Sequence, residues 1–269
     1  MRNKNGGVPR TCIEQYVRWD IGHEEMPEEF KYIEVNAVVH AAACITTNDE
    51  DMELSYVNLV GTHRIANLCR EKRCDIVVLI SSTPIIGIPD GNPITERTPL
   101  NPLTMYHATK AAQELILGQL TTVGIRVANL RVASPIAPIM AKDTIFTMFA
   151  KNAHYGRNLL LNGKGTRRQN YIDTRDIAQA VDKIIDANKA SGIYYCASDV
   201  TTSNAELAEM CIKIADSKSK MVYSGIPDDA DNQVWEIDSS RIRNEIGFEQ
   251  EYTIAQTIRD FIQNLERTS

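Results

Sequence analysis

The sequence predicts an α/β fold, a doubly wound parallel sheet followed by a smaller and less regular C-terminal lobe. Three observations carry this expectation. β-Branched and aliphatic runs at residues 35–40, 75–80 and 125–132 read as buried strands. Segments of helical character, at 49–72 and 103–121, separate them. Strands alternating with helices in this way build a parallel sheet covered on both faces.

In chain order, Val35-Asn-Ala-Val-Val-His40 ends in the small residues Ala41 to Ala43 and is the first buried strand. The helix at 49–72 places Leu54, Val57, Leu59, Ile65 and Leu68 on an approximate apolar face. Asp75-Ile-Val-Val-Leu-Ile80 is the clearest strand and runs into Ser81-Ser82-Thr83. A polar, proline-bearing loop at 84–102 leads to the helix at 103–121 and the strand at 125–132. Pro135 and Pro138 then interrupt the alternation. A helix follows at 144–153, a short strand at 159–161, a strong helix at 174–188 and a strand at 192–196. Ser203 with Glu206 three residues on marks a capped helix start for 203–216, and an amphipathic helix at 253–267 closes the chain. The expected division is a dinucleotide-type domain at 1–134 and a mainly substrate-binding lobe at 135–269, with some segments returning to the sheet.

Composition excludes several classes. The 269 residues are 43% apolar and 24% charged, an ordinary globular balance rather than a disordered one. The longest aliphatic run, 76–80, is far too short to cross a bilayer. No apolar stretch follows the polar, basic start, so no secretory signal is expected there. A net charge of −6 gives no sequence-independent hold on nucleic acid or an anionic membrane. The six cysteines form no CxxC pair and read as reduced thiols, so a cytoplasmic location is expected. His40 has no second histidine or carboxylate pair at ligand spacing, so no metal site is expected.

The sharpest chemical signal is Tyr106-His-Ala-Thr-Lys110 within a helix, downstream of a strand ending in Ser81-Ser82-Thr83. Residues four apart share a helix face, so the phenol and the ammonium reach one cavity. A free phenol, with a pKa near ~10, is too weakly acidic to serve as a base at neutral pH. A neighbouring lysine cation lowers that value. A strand-end hydroxyl beside the phenol would hold a substrate oxygen.

The order of strand, Ser-Ser, loop, Tyr-x-x-x-Lys helix and strand resembles the extended short-chain dehydrogenase/reductase family, and within it the NAD-dependent epimerase/dehydratase branch. Further segments resemble that branch in the same order: Trp19-Asp20-Ile21, His40-Ala-Ala-Ala43, Tyr56-Val-Asn58 with Gly61-Thr62, Asn170-Tyr-Ile-Asp-Thr-Arg-Asp176, and Ser239 to Phe248. The resemblance implies a Rossmann-type fold and a bound NAD or NADP. It makes Tyr106 the general acid/base, Lys110 its pKa-lowering partner and a ribose ligand, and Ser82, five positions before Gly87, the catalytic hydroxyl. Asp20, Ile21, His40, Ala41, Ala42 and Asn58 are the further cofactor-binding residues it implies. Thr83, Arg167 and Arg168 are the substrate-binding ones, the arginines suiting a sugar-nucleotide diphosphate. Asp176 also reads as a first-turn carboxylate favoured by the helix dipole.

The sequence departs from the family in two places. A strand, glycine-rich turn and helix normally open the fold and receive the pyrophosphate. Before Val17 this chain offers only Gly6-Gly7, so the expected fold lacks its first strand–helix unit. In that reading Tyr16 to Ile21 is the family's third strand, the sheet edge is left bare, and the chain is either an incomplete copy of an enzyme or a relative without cofactor. The second departure is Ala133-Ser-Pro-Ile-Ala-Pro138 where a substrate loop lies. In the family's dehydratases an Asp-Glu pair follows the catalytic hydroxyl, and Thr83-Pro84 stands there instead. The expected activity is therefore an NAD(P)-dependent epimerase of a nucleoside-diphosphate sugar. The alternatives are an NADP-dependent carbonyl reductase or hydroxysteroid-type dehydrogenase, and a non-catalytic binding relative. A homodimer through the helices at 49–72 and 103–121 is also implied, with Leu115, Ile116 and Leu120 able to face either a partner or the sheet.

Overall fold

A computed structural model of the chain describes residues 16–46, 48–91 and 93–268. Its centre is a four-stranded parallel sheet made of β1 (Ala37–His40), β2 (Ile76–Ser82), β3 (Arg126–Val132) and β7 (Gly192–Cys196), paired in that order. The register aligns His40 with Leu79, Leu79 with Asn129 and Asn129 with Ile193, so the C-terminal ends of the strands share one edge. The outer edge of β1 has no ladder partner among the described residues, and Val39 on it is exposed.

Side chains alternate across the sheet, and each face has its own helices. Val77, Leu79 and Val127 pack with Ile65, Ala66 and Cys69 of α2 (Gly61–Lys72) and with Leu117 of α3 (Met105–Gly118). Ile76, Val78, Ala128 and Leu130 pack on the opposite face, with Ala180 and Ile184 of α5 (Thr174–Asp186) and Ile242 of α7 (Ser240–Ile246). This is the doubly wound arrangement that the alternating pattern predicts. A second core joins α4 (Ile145–His154), α6 (Asn204–Ile214) and α8 (Ile254–Thr268) through Phe146, Phe149, Leu207 and Phe261. Two small sheets flank it. One contains β4 (Ser134–Ile136), β6 (Arg168–Asp173) and β8 (Thr201–Ser203), and the other β5 (Leu159–Leu161) and β9 (Met221–Tyr223). The Ser203–Glu206 capping box opens α6 as the spacing predicts. No described helix is long and apolar enough to cross a membrane.

Three local features differ from the sequence expectation. Tyr16 to Ile21 forms no strand. Local bonds close that segment instead, with the Asp20 carboxylate accepting from the Gly22 N–H and the Trp19 indole donating to the Glu24 carbonyl. The helix at 49–72 begins later, as α1 (Glu53–Ser55), and reaches α2 through a π-helical stretch, Tyr56–Val60. Asp176 is buried and accepts from the Glu251 and Tyr252 N–H groups, so it ties down the C-terminal segment rather than only meeting a helix dipole. Burial pushes its carboxyl above the usual range.

Gly61 begins α2 against Ile21, and a Cβ there would come within 2.7 Å of the Ile21 side chain. Alanine favours a helix by about 1 kcal/mol over glycine, but overpacking costs about 1–3 kcal/mol. Gly61→Ala is therefore expected to lower the urea midpoint, the opposite of what propensity alone gives. An unchanged or raised midpoint would show that Ile21 does not press on this helix.

Candidate active site

A cavity of about 770 Å³ opens at the C-terminal edge of the parallel sheet, the place where open α/β sheets receive ligands. Ala41 after β1, Ser82 at the end of β2, Tyr106 and Lys110 of α3, and Ala133 after β3 line one side. The other side comes from the second core, through Phe149 and Leu161, with the polar groups Asn162, Arg167 and Asn204 beside them.

Local bonding distinguishes the three hydroxyls at the end of β2. Ser81 donates to the Glu114 carboxylate at 2.6 Å, and Thr83 donates to the Val132 carbonyl at 2.9 Å. Ser82 lies between them, lines the cavity, and has no hydrogen-bond partner among the described residues. Gly87 closes the following turn at φ 82°, where a Cβ would meet the Asn101 carbonyl at 2.5 Å, so only glycine fits. The Tyr106 phenol, one helical turn from Lys110, faces the same cavity with no hydrogen-bond partner among the described residues.

The Lys110 ammonium is buried and donates to the Ile80 carbonyl at 2.6 Å. Burial lowers its pKa to about 8, with the Glu114 carboxylate acting in the opposite direction. Burial also raises the phenol of Tyr106, and Lys110 does not offset that shift. The lysine alone does not produce the low phenol pKa expected from the motif.

Below these groups Glu114 accepts from Arg131 Nε at 3.0 Å and Nη2 at 2.8 Å, and Arg131 also donates to the Tyr195 hydroxyl. Both charged side chains are almost fully buried, at 2% and 6% exposure. The pair pins α3 to β3. Sequence reasoning missed it, although Glu114 continues the four-residue spacing from Tyr106 and Lys110.

Several residues assigned to cofactor or substrate lie elsewhere. Ile21 is buried against Gly61 in the core. Asp20 is exposed and folds its carboxylate back onto its own turn. His40 is buried, with Nε2 2.8 Å from the Thr62 hydroxyl, and desolvation lowers its pKa to about 4. Asn58 sits in the π turn, accepts from the Cys44 N–H and donates to the Cys44 carbonyl and the Thr109 hydroxyl. It braces the loop after β1 from behind, and it does not line the cavity. Thr83 is held away by Val132. Arg168 opens β6 pointing away from the cavity, where it bonds Thr201 and Glu206. Arg167, in the loop just before β6, enters the cavity, as does Gln169 one residue beyond Arg168 on the strand. Ala41 and Ala42 form an exposed small-residue shelf after β1. Leu115 is exposed, whereas Leu120 is fully buried and Ile116 packs on the core. Gly6-Gly7 lies outside the described residues.

The profile of the NAD dependent epimerase/dehydratase family matches residues 3–197. A dTDP-glucose 4,6-dehydratase of Streptomyces niveus is 27% identical over 241 residues, covering 87% of this chain and 70% of that protein. A putative UDP-glucose 4-epimerase of Methanocaldococcus jannaschii is 25% identical over 186 residues, covering 66% of this chain but 60% of its relative's length. The chain spans 53% of a Dictyostelium discoideum dTDP-D-glucose 4,6-dehydratase to which it is 23% identical, with 79% of this chain covered. Among solved structures, MoeE5 in complex with UDP-glucuronic acid and NAD superposes with a TM-score of 0.82 at 19% identity, over 94% of this chain and 86% of that one. The UDP-N-acetylglucosamine 4-epimerase of Bacillus cereus gives 0.78 at 23% identity, over 88% and 80%. These structures share the Rossmann-type fold. With most of its length matched and the fold in agreement, the chain belongs to the NAD dependent epimerase/dehydratase family of extended short-chain dehydrogenases/reductases.

Proposed function

We propose that the chain carries the reaction site of an NAD(P)-dependent epimerase acting on a nucleoside-diphosphate sugar. The observation that carries the reading is the pair of uncommitted hydroxyls, Ser82 and Tyr106, on the cavity wall beside Lys110, while the hydroxyls flanking Ser82 are both engaged. In this reading Tyr106 takes the proton of a sugar hydroxyl, Ser82 hydrogen-bonds the same oxygen, and Lys110 holds the cofactor ribose. Arg167 and Lys142, which both line the cavity, face the diphosphate. Residues 1–134 serve the cofactor and 135–269 mainly the sugar, with β7 returned to the sheet.

The residues present fit the nicotinamide-ribose end of the cofactor. Ala41 and Ala42 leave an open shelf over the strand edge, and Lys110 and Tyr106 lie beside it. When bound, the cofactor takes up and returns a hydride and brings the positive charge that the raised phenol of Tyr106 lacks. A dehydratase needs an extra acid and base. Among the described lining residues Asp228 is the one carboxylate, and it comes from the C-terminal side rather than from the strand end, so epimerisation is favoured.

The test is a fluorescence titration of the chain with NADH and NADPH, followed by incubation with NAD and UDP-glucose. Saturable binding and an epimeric product, with no net change in nicotinamide absorbance, are expected. Steady consumption of reduced cofactor with a carbonyl substrate would establish the reductase instead, and absence of binding by the folded chain would favour a non-catalytic role.

A further inference from the structure

The carboxylate of Glu114 lies one helical turn below Lys110, on the same face of α3. Ser81 and Arg131 are register partners on β2 and β3, so their side chains leave the sheet together, and both reach this carboxylate. It accepts from the Ser81 hydroxyl at 2.6 Å and from Arg131 at 3.0 and 2.8 Å. Glu114 is 6% exposed, so the group is fixed in place and cut off from water.

Lys110 is held far more loosely. Its ammonium donates once, to the Ile80 carbonyl, which leaves two of its three N–H groups without an acceptor among the described residues. The side chain is 2% exposed, and an ammonium taken out of water tends to shed its proton. The other titratable groups around it give no help. Burial raises the Tyr106 phenol, which is neutral at neutral pH. His40, at the end of β1, is uncharged above about pH 4. Arg131, on β3, is a cation already bound to Glu114. Glu114 is the one carboxylate acting on Lys110, and it raises the lysine pKa against burial, which still lowers it to about 8.

We propose that Glu114 is a positioning residue of the reaction site, placed so that its fixed carboxylate keeps Lys110 in the ammonium form that holds the cofactor ribose. The inference rests on the role given to Lys110 above and deepens it. A charged donor makes a hydrogen bond roughly twice as strong as a neutral one, so the grip on the ribose weakens as the ammonium is lost. Ser81 and Arg131 act through Glu114, by fixing where the countercharge stands. The buried pair thereby does more than pin α3 to β3, and the two roles differ in one respect. Pinning acts equally at every pH, whereas a countercharge matters only across the range in which Lys110 titrates. With the carboxylate present the ammonium persists to higher pH, and without it the proton leaves at lower pH.

The side-chain Cε NMR signal of Lys110, identified by its absence from Lys110→Arg, reports the proton directly in a pH titration. Glu114→Gln keeps the shape of the side chain and removes its charge. The Lys110 midpoint should then fall, by about threefold or more in protonation constant. Fluorescence titration with NADH over the same pH series should show the loss of affinity moving to lower pH in step. Where Glu114→Gln does not fold, Arg131→Met with Glu114→Leu removes both charges, strands neither, and should lower the midpoint too. An unmoved midpoint in a folded variant overturns the proposal and leaves the sugar-nucleotide reading intact. NADH binding that is unmoved, or weakened by the same factor at every pH, gives the pair a purely structural role and also overturns it. A wild-type chain that binds no NADH at any pH overturns the sugar-nucleotide reading and this role together, whatever the Lys110 signal does.

Discussion

Tyr106→Phe is expected to reduce turnover by about 10²–10⁴-fold, the usual contribution of a positioned acid/base, while leaving the urea midpoint essentially unchanged. The split follows from the bonding. The phenol lines the cavity and has no partner among the described residues, so removing its oxygen strands no donor or acceptor. Its other atoms are partly buried and remain in phenylalanine. Burial holds the phenol above its ordinary pKa, so the fraction ionised is small at neutral pH and grows as pH rises. With cofactor bound, its positive charge opposes that shift, so turnover by the wild-type chain should climb with pH up to the phenol's lowered pKa and then level off, and the phenylalanine variant should lose the climb together with the rate. Product formation followed across a pH series in both proteins provides the check. Undiminished turnover in the variant would remove Tyr106 from the mechanism.

Arg131→Met carries the largest expected effect on stability, a loss of about 3–5 kcal/mol. The substitution leaves the Glu114 carboxylate in the interior with Ser81 as its remaining partner. Burial makes such a pair costly to break even though its net contribution is modest, because the surviving carboxylate is cut off from water and has no ion pair, with only the Lys110 ammonium one turn away to offset its charge. The double variant Arg131→Met with Glu114→Leu removes both charges and should recover most of the loss. Urea unfolding of the two single variants and the double variant forms the cycle. Single variants that lose less than about 1 kcal/mol would put the pair in the range of a solvent-exposed bridge, contrary to its burial.

The parallel sheet was readable because its strands are short, aliphatic and covered on both faces, which leaves a plain signal in the sequence. The capped start of α6 and the strand at Gly192–Cys196 were equally plain, since both depend on neighbours in the chain. The meeting of Ser82, Tyr106 and Lys110 on one cavity wall was also legible, because four-residue spacing on a helix and a hydroxyl at a strand end are local facts. Residues whose role depends on distant partners were not. His40 and Asn58 are small polar residues near a cofactor edge in the sequence, but Thr62, Cys44 and Thr109 claim them. Ile21 reads as a ligand contact until Gly61 is found opposite it. The different placements of Arg167 and Arg168 were not legible either, because Arg167 lies in the loop before β6 and Arg168 is claimed by the distant Thr201 and Glu206. The π turn at Tyr56–Val60 left no signal in the sequence.

Tyr106, Lys110 and Glu114 stand at successive four-residue steps along α3, and only the last is clamped to a neighbouring strand by an ion pair. Mechanically, the helix is a rod fastened along its length, by Asp49 at the Met105 N–H, by Asn58 at Thr109, by the Ile80 carbonyl at Lys110 and by Arg131 at Glu114. The phenol of Tyr106 is thus carried on a helix held at four points, and its position does not hang on any one of them. The opposite wall of the cavity hangs from a different core, built by α4, α6 and α8. Substitutions there can reshape that wall without disturbing the rod, so the two walls of the cavity can vary independently.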